Sequence, residues 1–383
     1  LILITILSIT RSKYNYSILV YYAFLIGFFR KFLPNDSVLL SSGFNLDPLL
    51  LVLPILSITF FINSQISKPR YSRLEKSFFS LICLAFIEIA NPRQGDIFVG
   101  ITGWIAYAAP MLFVFVGRQM SFHSRSLTLS SIKIAGVGSC LYGLYQVLFG
   151  YFSWDQRWFD SITQSGEYAV VGYGTHRPFA TFSSVGEYAQ AIGISAGVLT
   201  YQYITKKIGR IHFVTLAILF LVSATLTASR GSLILTTMTV FSLLIFKFRA
   251  DGILNINRYW IYPIFLFAIF LIPLVLEKIP KKLLGSSTTL LDRQIAGLSG
   301  NNSGVSSAFG HVTQTIDAIS LSINSIYGYG VGGISGAQKL NGKVRMNFES
   351  DIGNSAYAFG VFGLVIMIVV SVSYTHLRAH ETL

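Results

Sequence analysis

The sequence predicts an all-α polytopic membrane protein, a helical bundle with about ten transmembrane spans. Two observations support this prediction. Hydrophobic residues make up 52% of the 383 residues and charged residues only 12%, which is about half the charged fraction of a soluble domain. The hydrophobic residues also form repeated blocks that are long enough to cross a hydrocarbon core of ~30 Å as helices. This repetition favours one membrane bundle over several soluble domains.

The predicted spans follow one another along the chain. They lie near residues 15–33, 46–62, 77–92, 97–117, 131–152, 186–204, 211–228, 231–247, 259–276 and 354–372. Residues 1–10 are also apolar and can be the end of a further span. We therefore expect a single transmembrane domain over residues 1–372. Residues 373–383 resemble translated adaptor sequence, so we interpret them as a non-native tail on an incomplete chain.

The basic residues predict the orientation of the bundle. The formal net charge is +13, but Lys and Arg concentrate in alternate loops, which is typical of a topology signal and not of a nucleic-acid-binding surface. The positive-inside rule places these loops in the cytoplasm. Their basic residues are Lys68, Arg70, Arg73, Lys76, Arg118, Arg125, Lys133, Lys206, Lys207, Arg210, Lys247, Arg249 and Arg258. Arg30 and Lys31 fit less well, because they fall on the opposite side.

Two long polar segments, residues 153–185 and 277–353, therefore face outward. Long loops on a compact bundle are usually functional or disordered. Within the second, residues 313–324 carry isoleucines at helical spacing, which predicts a helix across the outer face. The stretch that follows, 327–333, contains the string Gly-x-Gly-x-x-Gly of dinucleotide-binding proteins. It does not follow a strand, so we interpret it as a tight turn.

Cysteine and histidine give no sign of a metal site. Cys83 and Cys140 both lie inside apolar blocks, which argues against a disulfide framework or a cysteine-based metal site. The histidines within the predicted bundle occur singly, without ligand-like spacing. We therefore predict no metal and no other cofactor.

Three arginines in the outward segments are candidates for binding phosphate. They are Arg177, Arg230 and Arg293. The planar guanidinium donates two parallel hydrogen bonds and keeps its charge, so three converging arginines could hold a pyrophosphate. The alternative is that each arginine anchors a helix end at the membrane interface. This alternative is weaker for Arg230, because basic residues are depleted in short outer loops.

Carboxylates and aromatic residues offer further candidates. Glu349 and Asp351 are the best-placed general bases in the long loop, although ordinary solvation also explains them. Glu88 and Glu187 lie at predicted span ends, where a carboxylate is either paired with an arginine or functional. The aromatic residues of 154–159 could stack on a sugar ring or form an interfacial belt.

These motifs, in this order, resemble the O-antigen ligase and O-antigen polymerase family of bacterial envelope glycan enzymes. The resemblance covers roughly residues 95–372. It is carried by Arg177-Pro-Phe-Ala-Thr-Phe182, Ser229-Arg-Gly-Ser232, Arg293, Asn324-Ser-Ile-Tyr-Gly-Tyr-Gly-Val-Gly332, and Asn354-Ser-Ala-Tyr followed by Gly360-Val-Phe-Gly363. Each motif is short, and their order, spacing and outward sidedness make the resemblance specific.

The resemblance implies a glycosyltransferase of GT-C-like helical architecture in the bacterial inner membrane. Its active site would face the periplasm or exterior and transfer a glycan from undecaprenyl pyrophosphate to an acceptor hydroxyl, without a metal. The partners would be the lipid-linked glycan, the acceptor glycan and membrane lipids, with no nucleic acid. On this chain the pyrophosphate ligands would be Arg177, Arg230 and Arg293. Weaker candidates for substrate contacts are His176, Glu187, His311 and Asn354.

One departure from the family pattern separates two branches. The ligases place a histidine beside the asparagine that opens the helix after the long loop, whereas here Gly353 precedes Asn354. This favours a polymerase of O-antigen or exopolysaccharide repeats, with Asp351 or Glu349 as the base. The alternatives are a ligase that transfers glycan to lipid A core or protein, and a lipid-linked glycan flippase. The nearly charge-free spans favour an enzyme over a flippase.

Overall fold

A computed structural model describes most of the chain. The described residues are 14–32, 48–65, 72–163, 177–250, 290–292, 295, 302–325, 327–334 and 351–380. Within these ranges the chain is mostly helical and forms no β-strand, as the sequence predicts.

Twelve α-helices lie in the described ranges. They are α1 (Asn15–Arg30), α2 (Pro48–Gln65), α3 (Arg73–Ile87), α4 (Ile97–Tyr107), α5 (Phe113–Gln119), α6 (Phe122–Phe149), α7 (Ser153–Thr163), α8 (Val185–Ile204), α9 (Arg210–Leu226), α10 (Arg230–Ala250), α11 (Asn302–Ile323) and α12 (Asp351–His380). Short 3₁₀ turns follow α3 and separate α4 from α5.

Within the described residues, three helical segments are long and apolar enough to cross a membrane. They are Ile97–Arg118, Phe122–Phe149 and Ile352–Val369, with 22, 28 and 18 residues. Shorter apolar helices cover Val52–Ile62, Arg210–Leu226 and Arg230–Ile245. These features are compatible with a membrane protein. The count of about ten spans stays a prediction, and the predicted span at 259–276 lies outside the described residues.

The chain divides into two compact units, each built from segments that are distant in sequence. The first unit comprises residues 1–15, 36–122 and 306–383, and the second comprises residues 16–35 and 123–305.

In the first unit, a glycine-rich turn packs against a kink in α12. The N–H groups of Tyr329 and Gly330 donate to the carbonyls of Tyr357 and Ala358 at 2.9 Å each. Gly328 and Gly330 have φ angles of 67° and 84°, which side-chain-bearing residues rarely adopt. Residues 327–333 therefore form the tight turn that the sequence predicts.

The helix predicted at 313–324 is present as the second half of α11. Its buried residues are Ala318 and Ser322, whereas Ile316 and Ile323 are 58% and 65% exposed. Helical spacing predicted the helix, but its inward face consists of small residues and not of the isoleucines.

The second unit has a core of closely packed helices in which α8 lies against α9 and α10. Phe220, Leu199 and Ile192 are fully buried in this core. A Cβ atom added at Gly193 would lie 2.8 Å from the Leu235 side chain. Small residues of this kind allow helix backbones to approach closely, as membrane helices do.

The glycine-rich turn can be tested by Gly328→Ala. The added Cβ would lie 2.4 Å from the Ala358 carbonyl oxygen on a left-handed backbone, so we expect a loss of about 2 kcal/mol or more in unfolding free energy. Thermal unfolding in detergent measures the loss. Gly117→Ala is the control in the same unit, because nothing lies within 4 Å of that Cβ position. Equal unfolding midpoints for both variants would contradict the described packing.

Candidate functional site

The two described arginines that are predicted to bind phosphate, Arg177 and Arg230, both belong to the second unit. Arg177 begins the loop 177–183, which leads into α8. The backbone of this loop is buried and runs across other helices. Buried backbone groups need hydrogen-bond partners. Side chains from α6, α7 and α8 supply them, together with Lys31 and Tyr151, and these contacts determine where Arg177 lies.

Gln146 of α6 holds the middle of the loop. Its buried side-chain oxygen Oε1 accepts hydrogen bonds from the backbone N–H groups of Phe179 and Ala180, at 3.1 and 2.8 Å. The neighbouring Thr181 hydroxyl lies 2.8 Å from the Ser139 hydroxyl, also on α6. One helix therefore fixes three consecutive residues of the loop.

A buried ion pair holds the same loop from the other side. The Lys31 ammonium lies 2.7 Å from Oδ1 of Asp155, and both side chains are fully buried. The ammonium also donates to the Ala180 carbonyl at 2.5 Å. The other carboxylate oxygen, Oδ2, accepts a hydrogen bond from the Tyr142 hydroxyl at 2.6 Å. Each charge thus has more than one polar partner, as a buried ion pair requires.

The end of the loop is held by Ser183. Its hydroxyl accepts from Arg30 at 2.6 Å and its carbonyl accepts from the Trp158 indole N–H at 3.0 Å. The Arg30 guanidinium also lies 4.9 Å from the centre of a Trp158 ring. The helix α1 approaches so closely here that a Cβ on Gly27 would lie 2.3 Å from the Phe182 carbonyl carbon.

The tryptophans of the predicted sugar-stacking segment are used within the protein. Trp154 donates its indole N–H to the Tyr142 hydroxyl at 3.0 Å. Its ring stacks on Phe152 with centroids 4.5 Å apart. Trp158 donates to Ser183, as described above. Both indoles therefore support the loop 177–183 and the ion pair beside it.

Two residues near the predicted phosphate ligands have left-handed backbone conformations without being glycine. Ala180 has a φ of 50° and Ala228 a φ of 49°. Such conformations are costly for residues with a Cβ and persist only where the surrounding contacts fix them. Ala180 lies three residues after Arg177, and Ala228 lies two residues before Arg230.

Arg177 contacts the turn that carries Arg230. Its Nε donates to the carbonyl of Thr227 at 2.7 Å, and Thr227 ends α9. Its own carbonyl accepts from the Tyr151 hydroxyl at 2.6 Å. Arg230, three residues after Thr227, is the half-buried first residue of α10. Two of the three predicted ligands therefore belong to one local structure.

The segment before the third predicted ligand packs on the same turn. Leu290 and Leu291 are 1% and 3% exposed and pack with Leu226 and Ala228. Arg293 itself lies outside the described residues, two positions after Leu291 in the sequence.

The first turn of α10 places a basic side chain at the positive end of that helix. The N-terminus of a helix carries a partial positive charge, and acidic residues usually occupy its first turn. Here the first turn of α10 contains no acidic residue and begins with Arg230. Backbone N–H groups and a basic side chain at one helix end favour an anion such as a phosphate.

The remaining predicted residues have other positions. The Glu187 carboxylate accepts from the Ser183 N–H at 3.0 Å and so helps to cap α8. The Glu88 carboxylate accepts a hydrogen bond from the side-chain amide of Asn91 at 2.6 Å. This amide takes the place of the arginine that the sequence suggested as a partner. Asn354 is half-buried in the first turn of α12, which Asp351 begins. The side chains of Asp351 and His311, and all of His176 and Glu349, lie outside what the structure describes.

Sequence reasoning did not single out Gln146 or Asp155. Gln146 lies in a predicted span and Asp155 in a segment predicted as a loop, and neither has a distinctive local pattern. The available signal was Lys31, a lysine at a span end that is predicted to face outward, where the charge pattern does not favour a basic residue. Such a misplaced charge implies a buried partner, but the partner's identity depends on tertiary structure.

Among the described residues, no group of three His, Cys, Asp or Glu side chains is arranged to hold a metal ion. Comparison of the chain with protein-family models, curated proteins and solved structures finds no match. The site is therefore interpreted from its own geometry.

The left-handed conformation of Ala180 can be tested by Ala180→Gly, with Ala196→Gly in α8 as the matched control. Both alanines are completely buried, so each change deletes one buried methyl group. Glycine inside a helix costs about 1 kcal/mol, whereas at a left-handed position it relieves about 1 kcal/mol of strain. We expect Ala180→Gly to be more stable than Ala196→Gly by about 2 kcal/mol in chemical unfolding. Equal losses would show that Ala180 is not strained.

Proposed function

We propose that this chain is a membrane glycosyltransferase that polymerises oligosaccharide repeats linked to undecaprenyl pyrophosphate, as in O-antigen or exopolysaccharide synthesis. The observation that carries the proposal is the meeting of Arg177, the turn with Arg230, and the buried Leu290–Leu291 pair that precedes Arg293. These segments are far apart in the sequence. An arrangement of basic groups at a helix N-terminus fits a diphosphate better than a neutral sugar.

In the proposed reaction, the acceptor hydroxyl attacks the anomeric carbon of the lipid-linked glycan. The bond between that carbon and the pyrophosphate oxygen breaks, and undecaprenyl pyrophosphate leaves with the bonding electrons. The arginines stabilise the negative charge that develops on the leaving group. A carboxylate, Asp351 or Glu349, takes the proton of the acceptor hydroxyl.

The proposed topology follows from the charge pattern. About ten spans would place residues 153–185 and 277–353 on the periplasmic or exterior side of the bacterial inner membrane. The arginine site would then face the compartment in which lipid-linked repeats are joined. The long helix α6 and the segment Ile352–Val369, both apolar enough to cross a membrane, support the membrane location in this proposal.

A ligase is the nearest alternative, since the same arginine site would bind its donor. The residue before Asn354 is a buried glycine and not a histidine, which favours the polymerase. Acceptor identity separates the two, because a ligase transfers glycan to lipid A core or protein.

A flippase is the alternative from another class. It would be expected to carry charged groups along a path through its spans. The buried Lys31–Asp155 pair instead holds the loop that carries Arg177. Translocation of lipid-linked glycan into vesicles without elongation would favour the flippase.

The proposal can be tested with Arg177→Ala and Arg230→Ala. Removing one charge-stabilising group from a transition state lowers the rate by about 100-fold, so both variants should give much shorter polysaccharide in cells that depend on this protein. Arg177→Lys and Arg230→Lys should recover only part of the activity, because lysine lacks the planar fork. Gel analysis of chain length measures the effect.

The matched control is Arg157→Ala, which removes an exposed arginine from α7 in the same unit and should leave chain length unchanged. Thermal unfolding of each purified variant establishes that it is folded. A wild-type chain-length distribution in both folded alanine variants would contradict the proposed function.

A further inference from the structure

The Lys31–Asp155 pair is placed to do more than stabilise the fold. The two residues are 124 positions apart in sequence and both side chains are completely buried. Transfer of two charges from water into a protein interior is costly, and an apolar pair of similar size is often equally stable. Stability alone therefore does not explain why this position holds an ion pair. We look for a contact that an apolar pair could not make.

That contact is the hydrogen bond from the Lys31 ammonium to a backbone carbonyl. Lys31 Nζ donates to the Ala180 carbonyl at 2.5 Å, on the left-handed residue of the loop. The ammonium also lies 4.5 Å from the centre of the Phe179 ring. Asp155 fixes the ammonium, and the Tyr142 hydroxyl fixes the second carboxylate oxygen. The ion pair thus holds one particular carbonyl in one particular orientation.

The Ala180 carbonyl and Arg177 are joined by a short segment of backbone with little conformational freedom. Only Pro178 and Phe179 separate Arg177 from Ala180, and the proline ring fixes its own φ. The N–H groups of Phe179 and Ala180 are held by Gln146. Few backbone rotations remain free between the two residues, so we expect a displacement of Ala180 to displace Arg177 as well.

We propose that Lys31 and Asp155 are positioning residues for the pyrophosphate site: they hold the Ala180 carbonyl and so direct Arg177 toward the turn that carries Arg230. This inference rests on the proposed function. Neither residue contacts the donor, and both act through Arg177. Their loss should therefore weaken binding of the pyrophosphate group while the helices around the core stay packed.

The test uses the double variant Lys31→Met/Asp155→Asn. It leaves no unpaired buried charge, and the asparagine oxygen can still accept from Tyr142. We expect the thermal unfolding midpoint to fall less than in either single variant, because no buried charge stays unpaired, although the Ala180 carbonyl loses its donor. Affinity for undecaprenyl pyrophosphate in detergent should fall about tenfold, since coupled sites commonly interact at this level. Undecaprenol, which lacks the pyrophosphate, is the control ligand.

A double-mutant cycle with Arg177→Ala separates positioning from a general structural effect. If the ion pair acts through Arg177, the Lys31→Met/Asp155→Asn change should lower affinity by less than about twofold when Arg177 is already alanine. An equal, additive loss in both backgrounds would overturn the inference. So would wild-type affinity in the folded double variant.

The same measurements separate this inference from the proposed function. Arg177→Ala at wild-type affinity would overturn the proposed function. Reduced affinity in Arg177→Ala, together with wild-type affinity in the double variant, would overturn only the positioning role. If the double variant does not fold, Tyr142→Phe replaces it, because it keeps both charges and removes the hydroxyl on Asp155. Its affinity should fall about threefold while the protein stays folded, and unchanged affinity would overturn the inference.

Discussion

The loop 177–183 keeps its conformation because its buried backbone groups are bonded to side chains from other helices. A left-handed alanine is unfavourable alone, and a buried carbonyl or N–H without a partner is more unfavourable still. Gln146 satisfies two N–H groups, and Lys31 satisfies the Ala180 carbonyl. The ammonium of Lys31 can be buried only because Asp155 balances its charge. The strained backbone and the buried ion pair therefore depend on each other.

The site follows from this dependence. With the loop fixed, the Arg177 side chain reaches the carbonyl of Thr227 at the end of α9. The next helix begins at Arg230, and the Leu290–Leu291 pair covers the turn between them. Three separate parts of the chain thus bring a positive helix end, a basic side chain and the segment before Arg293 to one place. These are the groups that would contact the proposed diphosphate ligand.

Much of the helical architecture could be predicted from the sequence, because apolar blocks and charged gaps are local features. The predicted span at 211–228 corresponds to α9, and the glycine-rich stretch at 327–333 forms the expected turn. Arg177 and Arg230 could be chosen as candidates because a guanidinium suits a phosphate ligand, and because a basic residue in a short outer loop, as predicted for Arg230, is unusual. Their common location at one turn could not, since it depends on how α6, α8 and α9 pack.

The contacts that fix the site were not predictable for the same reason. Asp155 reads as an ordinary loop carboxylate, and its role depends on a lysine 124 positions away. The aromatic segment at 154–159 suggested either sugar stacking or an interfacial belt. The hydrogen bonds that Trp154 and Trp158 make within the protein were not predictable, because their partners are distant in sequence. In α11, helical spacing predicted the helix but not its buried face, which neighbouring elements determine.

The central claim is that the turn between α9 and α10 binds the pyrophosphate of a lipid-linked donor. An experimental structure with undecaprenyl pyrophosphate bound tests it most directly. We expect the two phosphates at the N-terminus of α10, within hydrogen-bonding distance, about 3 Å, of the Arg177 and Arg230 guanidinium groups. Phosphates bound elsewhere, with both arginines more than about 6 Å from them, would contradict the account.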